Sequence, residues 1–127
     1  MKTTQKFLPD GYPSTNIYAY SILTDEGVYA SYPSAAIIAK KDIPVKIHWI
    51  NNITGPHMLP VDFSHPFMNG SEFRNEVPIC PHLHGACVHY KSDGLPMAYW
   101  TCLGNKGSGY QTEEPCRSNE AVYKYTN

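Results

Sequence analysis

EVPICPHLHGACVHYKSDGLPMAYW, residues 76–100, holds three of the six histidines, two of the four cysteines and an acidic turn. Read as a strand, residues 78–85 send side chains alternately to two faces. Cys80, His82 and His84 then share one face, and Ile79 and Leu83 the other. The strand rise sets the two imidazoles roughly 6 to 7 Å apart at their Cβ atoms. Gly85 ends the run, and Ser92-Asp93-Gly94 supplies a turn that returns a carboxylate to the histidine-bearing segment. Histidine pairs on one face are metal ligands or catalytic bases more often than single histidines are.

Outward from this stretch, the chain reads as short strands between turns. Residues 1–15 are polar, carry Pro9, Gly11 and Pro13, and are expected to form an extended lead-in. Residues 16–23 (NIYAYSIL) are aromatic and β-branched and read as one strand, closed by a turn at 24–27, with a second short strand at 28–32. Residues 45–50 (VKIHWI) place Val45, Ile47 and Trp49 on one face and Lys46 and His48 on the other, which is the pattern of a half-buried strand. Residues 51–74 are dense in Asn, Gly, Pro and His, so loops are expected there around a short strand at 58–61. Residues 97–102 read as a strand or a turn of helix, 103–118 as a glycine-rich loop, and 121–125 (AVYKY) as a final strand. Six or seven strands and no convincing helix make the chain all-β, a Greek-key sandwich.

Composition narrows the function classes. A formal net charge of -1, with 17% charged residues, offers no basic surplus to neutralise phosphates, so nucleic acid is not an expected partner. No apolar run approaches the roughly 20 residues that span a membrane, and a membrane partner is not expected either. The first residues lack the apolar core of a secretory signal. Against that, four cysteines and two N-glycosylation patterns, Asn52-Ile53-Thr54 and Asn69-Gly70-Ser71, favour an extracellular or surface location.

HLHG at residues 82–85, followed by SDGLPMAYW at 92–100, resembles the first copper-binding segment of the multicopper oxidases. The resemblance is to the group of spore-coat laccase, bilirubin oxidase and phenoxazinone synthase, whose segment reads roughly VPTVVHLHGG, a loop, then SDGxPEAWF. Residues 32–53 (YPSAAIIAKKDIPVKIHWINNI) and 57–62 (HMLPVD) are similar to blocks of the same group in the same order. The resemblance implies a cupredoxin-type sandwich over residues 16–127, a single domain lacking its last strand or strands, because the chain stops before the family's WYHDH motif. It also implies copper. In the family the first histidine of HxHG binds the type 2 copper and the second one of the type 3 pair, which places those roles on His82 and His84. Asp93 matches the acidic residue that assists proton delivery where O2 is reduced to water. Relatives of the spore coat extend the expected location to the spore or cell surface.

Departures from the pattern limit what this chain does alone. The HxxHxH and HCHxxxH motifs that supply the remaining trinuclear ligands and the type 1 site are absent. Met97 stands in place of a usual Glu, Pro81 in place of a β-branched residue, and Ser34-Ala35 in place of Gly-Pro. The leading expectation is an amino-terminal copper-binding domain or fragment of a laccase-like oxidase, holding only a partial copper site and inactive alone. The alternative is a non-catalytic structural or assembly module with at most one metal at His82 and His84. A zinc site at Cys80, His82, His84 and Cys87 is a third reading. A sandwich without its closing strand leaves an open edge, so the expected partners are the remainder of the oxidase or other copies of the chain. Cys102 and Cys116 enclose the glycine-rich loop, and their pairing would constrain it by roughly 3 kcal/mol. His48, His57, His65 and His89 match no ligand motif and read as surface or loop residues.

Overall fold

A computed structural model describes residues 1–64 and 71–127; His65 and Asn69 lie outside the described residues. The fold is all-β. Its strands are β1 (Lys2–Gln5), β2 (Thr15–Tyr18), β3 (Ser21–Thr24), β4 (Gly27–Ala30), β5 (Val45–Ile50) and β6 (Glu120–Tyr125). They pair as three small antiparallel sheets, β1 with β2, β3 with β4, and β5 with β6, consistent with a fragment of a cupredoxin-type β-sandwich. The chain forms two compact units, Met1–Ile38 and Ala39–Asn127.

In the first unit, β1 and β2 align Lys2 with Tyr18 and Gln5 with Thr15. The Met1 ammonium donates to Ala19 O at 2.7 Å, extending this pairing by one step. The aromatic run at 16–23 is therefore not one strand. Its first half pairs backward with β1, and its second half turns at Ala19-Tyr20 to pair forward with β4 through the two-residue turn Asp25-Glu26. No residue of 1–38 is fully buried.

The second unit carries the core. β5 alternates half-buried Val45, Ile47 and Trp49 with exposed Lys46, His48 and Ile50, as its sequence period requires. It aligns with β6 over its full length, Val45 opposite Tyr125 and Ile50 opposite Glu120. Trp100, Ala121, Tyr123 and Tyr125 form the buried cluster, with Ile47, Trp49, Ile79, Val88 and Tyr110 packed against it. Trp100 meets Tyr110 and Tyr123 edge-on, with ring centroids at 5.9 and 6.1 Å. Full burial of each large side chain stabilises by about 1.5–3 kcal/mol relative to exposure.

Residues 78–85 do not form the strand expected of them. Pro78 and Pro81 lack the N–H groups a ladder needs, and pairing is reduced to one bridge, Ile79 to Trp100, with N–H···O distances of 3.0 and 3.1 Å. Residues 58–61 likewise form no strand, since Pro60 interrupts them. Around Trp100 there are bridges to Ile79 and Lys106 rather than a strand or helix.

Candidate functional site

The site is built by two loop segments held face to face. The Ile79–Trp100 bridge sets residues 78–82 beside 95–100, and the Cys80 thiol donates to Leu95 O at 2.9 Å. Gly94 has φ +73°, and a Cβ there would lie 1.9 Å from Pro81 O. Glycine alone permits both that backbone conformation and that approach. The turn before it is a 3-10 element, Tyr90–Ser92, with His89 as its N-cap accepting from Lys91 N. His89 thus has a structural use, as a loop histidine.

This packing brings the histidine pair and the acidic turn together. The rings of His82 and His84 lie 6.0 Å apart at an interplanar angle of 64°. His82 Nδ1 is 2.6 Å from the Asp93 carbonyl oxygen and 3.3 Å from Asp93 Oδ1. Both Asp93 atoms accept and neither donates, once the carboxyl is ionised. Nδ1 must therefore carry the proton, which leaves the Nε2 lone pair of neutral His82 as the free ligating atom. The His82 side chain is 48% exposed and that of Asp93 33%, so the pair is reachable from solvent.

Two imidazoles with nitrogen lone pairs suit copper, but two do not close a site. Among the described residues, no group of three or more His, Cys, Asp or Glu side chains converges to hold a metal ion. The quartet Cys80, His82, His84 and Cys87 therefore forms no zinc site. Nor are Cys102 and Cys116 joined; all four cysteines are free thiols. Cys116 donates to Glu120 O at 3.3 Å beside Tyr110. Burial pushes the Cys102 thiol up, reinforced by the Glu76 charge, and burial likewise raises that of Cys80.

Three supporting residues escape a sequence reading. Asn51 is buried at the end of β5. Its amide donates to Val77 O at 2.8 Å and to Trp100 O at 3.0 Å, and its Oδ1 accepts from Ile53 N at 3.0 Å. Ser92 is fully buried; its Oγ accepts from Lys124 N on β6 at 2.9 Å and donates to Glu113 Oε1 at 3.3 Å. Tyr123 has a buried hydroxyl with no hydrogen-bond partner among the described residues. The only advance signal for Asn51 is an amide directly after an alternating strand; Ser92 is marked only as the start of the Ser92-Asp93-Gly94 turn, and nothing marks the Tyr123 hydroxyl.

Against known proteins, the chain is 30% identical over 115 residues to a laccase of Bacillus stratosphericus, covering 91% of this chain and 19% of the relative. It is 29% identical over 89 residues to a laccase of Bacillus subtilis (strain 168), covering 70% of this chain and 16% of the relative. It is 33% identical over 94 residues to multicopper oxidase LPR1 homolog 3 of Oryza sativa subsp. japonica, with the same coverages of 70% and 16%. The chain thus spans less than a fifth of the length of these curated relatives. No protein-family model and no solved structure matches it.

Proposed function

We propose, from the premise that this chain is a relative of the multicopper oxidases, that it is the amino-terminal copper-binding part of a laccase-like or bilirubin-oxidase-like enzyme. In that reading residues 16–127 belong to one cupredoxin-type domain, and the preceding segment adds β1, paired with β2. His82 is the ligand of the type 2 copper and His84 of one type 3 copper. Copper bound there would supply one-electron steps that join oxidation of a reducing substrate to reduction of O2 to water.

This chain's own contributions are narrower. His82 presents Nε2, oriented by its Nδ1–H bond to Asp93. Asp93, one-third exposed and hydrogen-bonded to that imidazole, serves as the carboxylate that takes a proton from solvent and passes it toward the reacting centre. The observation that carries the reading is the His82–His84 pair at 6.0 Å with Asp93 against the first of them. The rest of the ligands, the remainder of the oxidase, and a surface or extracellular location belong to the same proposal.

A second reading is favoured by one fact: no third ligand converges among the described residues. On it, the chain is a non-catalytic cupredoxin-like module with at most one metal at His82 and His84, working through assembly with copies of itself at an open sheet edge.

Metal content tests the ligand assignment, which the first reading requires and the second only permits. The purified chain and its His82→Ala/His84→Ala double variant are reconstituted with Cu(II) under air, and copper is measured by elemental analysis. Copper near one per chain, lost in the variant, supports the ligand assignment. Equal copper in both defeats it and leaves a structural module.

A further inference from the structure

We propose that Ser92 is a positioning residue for the His82–Asp93 pair, mooring the acidic turn to β6 so that Asp93 keeps the His82 proton on Nδ1. The functional half of this rests on the copper-ligand reading above; the structural half needs no metal.

A backbone carbonyl can meet an imidazole at 2.6 Å only if its peptide plane is held, and Asp93 sits in a turn that is partly exposed. Besides the turn's own bonds from Ser92 N to His89 O and from Asp93 N to Tyr90 O, two contacts hold it against other segments. On the histidine side, Gly94 presses against Pro81 O, where even a Cβ has no room. On the opposite side lies Ser92, with no exposed surface. Its hydroxyl makes two bonds to separate elements. It accepts from Lys124 N on β6 and donates to Glu113 Oε1, while Glu113 N itself donates to Val122 O at 2.9 Å. The turn is thereby tied both to the strand and to the loop bordering it.

An alanine at 92 removes both ties and strands the Lys124 N–H. Once the turn relaxes by as little as ~1 Å, the bond to Nδ1 leaves hydrogen-bonding range. Neutral His82 then distributes its proton over both nitrogens, as an unrestrained imidazole does, and the fraction with a free Nε2 falls. Removing a residue that orients a metal-binding histidine typically costs 10- to 100-fold in affinity.

The experiment reads the tautomer directly, in the metal-free full chain, by long-range 1H–15N NMR of the histidine rings at about pH 8, above the ordinary imidazole range. In the wild type, His82 is expected as the Nδ1–H form. Ser92→Ala is expected to turn it into a mixture and to weaken Cu(II) binding about tenfold or more. Thr101→Ala is the comparison. Thr101 is also fully buried, and its Oγ1 anchors a different loop by accepting from Asn105 N at 3.0 Å. That variant is expected to lose stability in urea while keeping the Nδ1–H tautomer and the copper affinity.

An unchanged His82 tautomer in Ser92→Ala overturns the proposal. So does an equal change in Thr101→Ala, which would make the effect general loosening. If Ser92→Ala does not fold, Glu113→Ala, which removes the exposed acceptor of the Ser92 hydroxyl, is judged by the same two criteria. A wild-type chain that binds no copper defeats the copper reading, and the tautomer measurement still decides the role of Ser92.

Discussion

Gly94 concentrates more constraint than any other residue near the histidine pair. Gly94→Ala adds a Cβ at 1.9 Å from Pro81 O in a left-handed backbone conformation. Neither fault can be relieved by a side-chain rotation, so the loops must part. We expect a destabilisation of about 1–3 kcal/mol in urea unfolding. Tyr123 has the opposite expectation. Its hydroxyl is buried without a partner among the described residues, which disfavours the folded state, so Tyr123→Phe should be neutral or stabilising by up to about 1 kcal/mol. A clear loss of stability would mean that the hydroxyl has a partner after all. Burial is the first cause that raises the Tyr123 phenol, and it raises Tyr110 as well, beside Cys116. A raised folded value means that the native state holds its proton while the unfolded chain begins to release it near pH 10. Stability is therefore full below that pH and falls as pH rises through it, and the raised thiols of Cys80 and Cys102 act with the same sign from lower pH. Urea midpoints at pH 8, 9, 10 and 11 should decline, and Tyr123→Phe should flatten the upper part of the decline.

At the scale of elements, some of the structure was legible and some was not. β5 can be read because the period of 2 in VKIHWI comes from burial of one face, which is local information, whereas β6, expected from alternation in AVYKY, is buried on both faces except at Lys124. The nearness of Asp93 to His82 was also legible, from a Gly-containing turn between two short segments. The failures have a common physical form. Alternation at 78–85 imitates a strand although two prolines remove the donors, and a continuous aromatic run hides the change of pairing partner at Ala19-Tyr20. The anchoring roles of Asn51 and Ser92 are invisible for a different reason: each bonds to backbone groups that are distant in sequence, such as Trp100 O and Lys124 N. Asn51→Ala removes the bonds to Val77 O, Trp100 O and Ile53 N at the end of β5, and leaves Trp100 O with its bond from Ile79 N. We expect a loss of about 2–4 kcal/mol. Hydrogen exchange should quicken most at the amides of Ile53, Ile79 and Trp100; uniform quickening across β1 to β6 would count against this local account.

For the whole molecule, the uneven distribution of burial matters most. All the fully buried side chains described lie in Ala39–Asn127, while Met1–Ile38 consists of two-stranded hairpins and leaves Leu23 80%, Val28 61% and Tyr29 61% exposed. An isolated two-stranded hairpin is marginal in water. Native-state hydrogen exchange should therefore show β1 to β4 opening with little free energy, and β5 and β6 only near the global limit. Equal protection in both units would refute it. The position of β6 has a further consequence, in the order of synthesis. β6 supplies the wall on which Trp100 packs and the amide that secures Ser92. On the ribosome, His82 and Asp93 emerge roughly forty and thirty residues ahead of Lys124, which at bacterial to eukaryotic elongation speeds is about two to eight seconds. Throughout that interval the acidic turn lacks the Lys124 amide that secures Ser92. Any metal capture that depends on the oriented imidazole has to wait until translation has passed Lys124.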